Sequence, residues 1–479
     1  MTSVCDKCMV KLYQERVFGE SGEVRLMEFS VTSPIDGLHH STHSYHSWSE
    51  VERMISRGTE AQRTWMEMPT TERLSILQKW VDIVSAKKVE LAEELTCQMG
   101  RPCSEAPLEI DEFEKRSKRV LELTDQALAR HDERRSGQLE HFVQPESLGV
   151  VLVQAGWNYP YIIAAHSVVP ALAVGNAVLL RHSKQTPTCS SHLEETFRQA
   201  GGPADVLQAI RLPRQDVERL RRLKTIAQVA VTGALPSDAP RPGRRRHVGL
   251  GLDLGGKDPA YIRPDANIDD AAHQLMKAAF SNAGQSCCGV ERIYVQESAF
   301  DDFVSAFKTQ VQSLKLGNPR EQDTTLGPMV RFQAATAVYD QVNATIKQGA
   351  TPLLPNTPPD RASFHPQILI DVDHTMKLMS EETFGPAVGI MKVESDEEAI
   401  ALMNDSRYAL GASVWSKDVE AGLKIVRQVD TTTSYVNHCD YLDPAVAYLG
   451  VNGSPRGFTL SHFGFEMLTV DRSYWVTST

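Results

Sequence analysis

Apolar residues recur at steps of three and four along the first quarter of the chain. Over Trp48–Trp65 and Thr70–Gly100 the pattern includes Leu74, Ile76, Leu77, Trp80, Val81, Ile83 and Val84, which predicts amphipathic helices. The spacing continues into a long charged helix over Glu105–His131, with a break at Asp132–Gly137. From Val150 the texture changes. Val150–Val153, Ala177–Leu180 and Ile226–Val231 are short, continuous apolar runs, as expected of parallel strands covered on both faces. Helical segments at Tyr161–Ala173 and Cys189–Ala200 separate them. Such alternation predicts an α/β, doubly wound layered fold. A second α/β stretch runs from near Gly251 to about Ala445, with strands predicted at Ala260–Ile262, Ile293–Val295 and Val388–Met391.

The most informative stretch lies between a helix and a strand of that second region. Asn267 can cap a helix running to Phe280, Asp269 and Asp270 suit its positive end, and Leu275, Met276, Ala279 and Phe280 form its apolar stripe. A small-residue turn follows, with Gly284 and the adjacent thiols Cys287 and Cys288, before the strand begins after Arg292. Cysteine chemistry alone leaves two readings open, a pair of small buried hydrophobes or a sulfur presented to a pocket.

Composition narrows the field. A chain of 479 residues, 41% hydrophobic, can bury a large core and predicts two or more domains. The net charge of −11 argues against a general nucleic-acid binder, and the cluster Arg241, Arg244–Arg246 reads as a solvated loop. Eight cysteines are too sparse for a disulfide scaffold. Cys5-Asp6-Lys7-Cys8 has half of a zinc spacing with no second half, so no metal is expected. The first thirty or so residues lack an apolar core of the signal-peptide kind, and no run of eighteen apolar residues occurs. The expectation is a cytoplasmic protein without a membrane span. Gly249 and Gly251 are followed by Gly255 at the wrong spacing for a Gly-x-Gly-x-x-Gly loop, which counts against an ordinary Rossmann dehydrogenase.

Several collinear motifs carry a resemblance instead. Phe280-x-x-x-Gly284-Gln285-x-Cys287 with Arg292, Gly156-Trp157-Asn158-Tyr159-Pro160, Pro170–Asn176, Leu252-Asp253-Leu254-Gly255-Gly256-Lys257 and Glu381-Glu382-Thr383-Phe384-Gly385-Pro386 resemble the segments of the aldehyde dehydrogenase superfamily, in the same order. The likeness runs from about Pro34 to the C-terminus. It implies that Cys287 is the nucleophile, that Asn158 donates its amide to the oxyanion, and that Asp253 stands where the family has a glutamate base. Trp157, Arg181, Lys184, Thr232, Gly233, Glu382 and Phe384 would then bind the dinucleotide, NADP or NAD. An amide suits the oxyanion role because a fixed neutral donor stabilises charge as it develops.

The resemblance also implies an architecture. An N-terminal arm (1–33) would precede a dinucleotide-binding domain (34–127 and 147–251) and a catalytic domain (252–445). A β-flap made of 128–146 and 446–479 would make a homodimer or homotetramer. The implied function is NAD(P)-dependent oxidation of a small-molecule aldehyde to the acid, in a site that Tyr161, His166 and Tyr441 are expected to line. Three departures keep a redox-silent relative open as an alternative, whether a Cys-dependent hydrolase, a non-redox carbonyl enzyme or a binding scaffold. Ala234 lacks the family's hydroxyl, Pro236, Pro240 and Pro242 crowd the expected cofactor helix, and Asp253 is one methylene short. At the end of the second strand Lys184 replaces the carboxylate that would repel a 2′-phosphate, and Arg181 and His182 are expected to add charge there.

Overall fold

A computed structural model describes residues 27–136, 139–233, 249–253, 255–448 and 459–477. The Cys5–Cys8 spacing, the three prolines after Ala234 and the Arg241–Arg246 cluster lie outside the described residues.

The apolar runs form two mostly parallel sheets. The first has five parallel strands in the order Leu207–Ala209, Ala177–His182, Val150–Ala155, Ile226–Thr232 and Gly249–Asp253. Its central strand is covered on both sides, which is why Val150–Val153 shows no alternation. Val151 and Val153 pack with the Pro160–Ala173 helix, while Val150 and Leu152 join a core with Val51 and Ile55 of the Trp48–Glu67 helix. The second sheet has seven strands, in the order Thr351–Pro352, Gln367–Ile370, Ala387–Val393, Val290–Gln296, Asp258–Ile262, Gly411–Trp415 and Thr433–Val436. All its pairings are parallel except the first.

Helix boundaries follow local chemistry. Ser47 and Glu50 form a reciprocal capping box ahead of Trp48–Glu67. Asn267 caps Ile268–Phe280 as its side chain accepts from Asp270 N–H. The Thr70–Gly100 pattern is two helices, Thr70–Ala86 and Lys88–Met99, meeting at Lys87. Ser33–Gly37 is the turn of a small hairpin, Glu28–Thr32 with His39–Ser44.

The long charged helix is shorter than its periodicity predicts, spanning Ala106–Ala127. His131 instead begins a strand, His131–Ser136, which pairs with Leu139–Ser147; that strand in turn pairs with Thr469–Thr477. Pairing with Leu139–Ser147, which helical periodicity does not anticipate, decides this ending. Among the described residues, no helix is long and apolar enough to cross a membrane.

The two parallel sheets present opposite edges to one another's loops. Gly156–Asn158 and Gly233 follow the carboxyl ends of strands in the five-stranded sheet. Lys257, Cys287 and Gly385 precede the amino ends of strands in the seven-stranded sheet.

Candidate active site

Cys287 sits on a turn whose backbone is unusual. Asn282 and Ala283 adopt φ of 52° and 54°, and Gly284 follows at 69°. Left-handed conformations cost about 1–2 kcal/mol each for residues with a Cβ, so the surroundings must hold the turn. A Cβ on Gly284 would stand 2.3 Å from the Gly385 carbonyl oxygen, and one on Gly256 would stand 2.2 Å from the Cys287 carbonyl oxygen. Only glycine permits either approach. The Gln285 side chain completes the brace, donating to Asn282 O at 2.9 Å and accepting from Val330 N–H at 2.8 Å.

Asn158 reaches this turn from the other sheet. Its Nδ2 donates to Gln285 O at 3.2 Å, two residues before Cys287. The Cys287 and Cys288 sulfurs are 4.0 Å apart. Contact with Cys287 and burial push the Cys288 thiol well above its ordinary range, so Cys288 is held protonated.

On the opposite side lies a buried charge cluster. Lys257 Nζ pairs with Glu291 Oε2 at 2.6 Å, and Glu291 also accepts from Thr383 N–H and Phe384 N–H, each at 2.8 Å. Burial lowers the Lys257 pKa, and Glu291 opposes that shift. Glu382 accepts from Gly256 N–H at 3.1 Å. Burial first, then the nearby Glu291 carboxylate, push Glu382 up to about 7. Trp157 and Phe384 meet edge to face, with ring centroids 5.7 Å apart.

Asp253 ends the Gly249–Asp253 strand, where Thr232 is its register partner. Three residues later Gly256 touches Cys287, so the strand end leads directly into the nucleophile turn. Thr232 and Gly233 lie at the carboxyl edge of the five-stranded sheet, the place where open α/β sheets bind ligands. Among the described residues, none beyond its chain neighbours has an atom within 4 Å of where a Cβ on Gly233 would be. The Trp157–Phe384 pair and the half-buried Glu382 fit a dinucleotide.

Several expected residues behave differently. His182 is not a cation: its Nε2 donates to Pro160 O at 3.1 Å, and burial pushes its pKa down to about 4. It faces the core because strand alternation turns it away from Arg181. Arg181 directs Nε and Nη2 to Leu212 O at 3.3 and 3.2 Å, whereas Lys184 is exposed. Tyr161 does not line a substrate path; it is fully buried, with its hydroxyl 3.3 Å from His192 Nδ1. His166 is neutral, held well below its ordinary range by burial and by Arg116, whose Nη1 lies 2.9 Å from its Nε2. Sequence reasoning missed Glu291, Asp258 and Asp440, of which Glu291 lies inside the quoted nucleophile motif.

A family model described as the aldehyde dehydrogenase family matches residues 22–473. The chain belongs to that family. Its activity is therefore NAD(P)-dependent oxidation of an aldehyde, and the redox-silent alternative is not favoured. Among curated proteins, an aldehyde dehydrogenase of Paenarthrobacter nicotinovorans is 29% identical, covering 94% of this chain and 100% of that protein. An NADP(+) succinate-semialdehyde dehydrogenase of Deinococcus radiodurans is 30% identical, covering 92% and 93%. Among solved structures, the NADP-dependent glyceraldehyde-3-phosphate dehydrogenase of Bacillus halodurans complexed with NADP superimposes with a TM-score of 0.89. It shares 27% identity and covers 96% of this chain and 97% of its own.

In this aldehyde dehydrogenase Asp258 is buried beside the nucleophile turn and accepts from Gly411 N–H at 3.0 Å. Burial chiefly, with a contribution from Asp440, pushes its carboxyl from an ordinary 3.8 up to about 7. Between those values the folded protein keeps a proton that the unfolded chain has released, so this group's contribution to stability is lost as pH rises through that window. Asp258→Asn should remove the loss. Its urea midpoint relative to wild type is expected to rise from about pH 4 to about pH 7; a pH-independent difference would show that Asp258 does not titrate there.

Proposed function

We propose that Cys287 is the nucleophile, Asn158 the oxyanion donor and Asp253 the base. The observation that carries the proposal is the Asn158 amide reaching the nucleophile turn at Gln285 O. The Cys287 thiolate attacks the aldehyde carbon, and the Asn158 amide with the Cys287 backbone N–H holds the resulting oxyanion. A bound dinucleotide supplies a hydride acceptor at its nicotinamide. Trp157, Thr232, Gly233, Glu382 and Phe384 would hold it, with Glu382 on the nicotinamide ribose and Phe384 against the ring. Asp253 then takes a proton from water, which hydrolyses the Cys287 thioester to the acid.

Cofactor choice turns on Lys184. Because it is exposed at the strand end where relatives place a repelling carboxylate, it is available to a 2′-phosphate. The Deinococcus relative is named for NADP(+), which supports the reading that NADP is accepted at least as well as NAD. The three-stranded sheet, with Val470, Trp475 and Val476 exposed, supports a homodimer or homotetramer. A cytoplasmic location is proposed with it. The proposed domain division remains 34–127 with 147–251 for the dinucleotide and 252–445 for the nucleophile.

Three outcomes are expected. Cys287→Ala should abolish NAD(P)H formation across an aldehyde panel while Cys288→Ala retains it; activity in the Cys287 variant would exclude it as nucleophile. Lys184→Glu should shift the NADP-to-NAD affinity ratio towards NAD by about tenfold, in line with one partly exposed charged contact. An unchanged ratio would place Lys184 away from the ribose. Light scattering should report a dimer or tetramer, and a clean monomer would contradict the flap's assigned role.

A further inference from the structure

Arg101 and Glu105 lie just ahead of the Ala106–Ala127 helix, Glu105 as its N-cap residue, and Glu109 falls in its first turn. Together they touch both loops that build the site. Arg101 Nη2 donates to Asn158 O at 2.8 Å, its Nη1 pairs with Glu109 Oε2, and its guanidinium lies 4.5 Å from the Tyr159 ring centroid. Glu109 Oε1 accepts from Tyr161 N–H at 2.8 Å. The segment 158–161 is therefore gripped at a carbonyl, a ring and an amide by one buried ion pair. Burial pushes the Glu105 carboxyl up, and Arg101 and the backbone of Asn282, the first left-handed residue of the turn, oppose that shift. The Asn282 side chain closes the loop, donating to Asn158 O at 3.1 Å and to Gln285 O at 3.3 Å.

We propose that Arg101, oriented by Glu109, is a positioning residue that fixes the Asn158 amide over the nucleophile turn. Arg101 and Glu109 are only 4% and 2% exposed. Buried ion pairs contribute little net stability compared with apolar packing, so stability alone is a weak reason for this one. Geometry is a stronger reason. Arginine offers a planar fork that can serve a carboxylate and a carbonyl while stacking on a ring, whereas a lysine offers one compact ammonium. An oxyanion donor is useful only when held where charge will develop, and misplacement by about 1 Å can cost about a hundredfold.

The inference rests on Asn158 being the oxyanion donor, and a double-mutant cycle separates the two claims. In the full-length protein, Arg101→Met, Asn158→Ala and the double variant would be compared with the aldehyde that wild type turns over fastest. Alkylation of Cys287 by iodoacetamide, which needs no oxyanion donor, serves as the second readout. Asn158→Ala should lower kcat about 10²- to 10³-fold, and Arg101→Met about 10- to 100-fold, with the aldehyde KM little changed. Adding Arg101→Met to Asn158→Ala should cost less than about threefold more, because the amide it positions is gone. Alkylation should stay within about twofold throughout. Arg101→Lys, which keeps a cation opposite Glu109, covers the case in which the methionine variant does not fold; its kcat should fall in the same non-additive way. Multiplicative effects, a parallel loss of alkylation, or full kcat in Arg101→Lys would each overturn the positioning role. An unchanged kcat in Asn158→Ala would instead remove the oxyanion assignment, and the inference with it.

Discussion

The site depends on where the Glu291 carboxylate is held. Its oxygens collect the Lys257 ammonium, the Thr383 N–H and the Phe384 N–H, so that its own stretch of chain is joined to two others. Taking a lysine and a glutamate out of water is costly, and the pair is tolerable only when additional donors and acceptors complete it. These three segments therefore have to meet at one point. Phe384 accepts a left-handed φ of 48° there, and Gly385 is brought onto Gly284 beneath the nucleophile turn. Arg292, the next residue after Glu291, ties the Lys257 carbonyl from the other side at 3.0 Å.

This anchoring accounts for the electrostatic character of the surroundings. Glu382 and Asp258 lie close to backbone elements that cannot move away, with too little water to solvate two full charges. Both carboxyls are pushed up to about 7, as is Asp440, by burial that Cys288 and Arg116 only partly oppose.

Much of the frame was legible because its signals are local. The Asn267 cap, the acidic first turn and the apolar stripe are enough to place the Ile268–Phe280 helix. Continuous apolar runs are enough to place buried parallel strands. The misreadings share a different cause. His182 follows Arg181 in sequence, yet strand alternation turns it to Pro160 and burial neutralises it. Tyr161 follows the oxyanion segment, yet helix geometry directs it into the core. The helical periodicity beyond Ala127 gives way to a strand because Leu139–Ser147, itself backed by Thr469–Thr477, supplies a ladder partner.

By itself the sequence determined the family, since Asn158, Asp253 and Cys287 stand in collinear motifs that resemble its segments in the same order. It also determined that two α/β regions would follow a helical start, because hydrophobic period depends only on nearby residues. Tertiary structure alone decided which charges remain charges. Lys257 and Glu291 are 34 residues apart and Arg101 and Asn158 are 57 apart, and periodicity says nothing about contacts at that range. Ionisation and hydrogen-bond satisfaction depend on the solvent a group loses and the partners it gains, and both are fixed only when the two sheets bring their loops together.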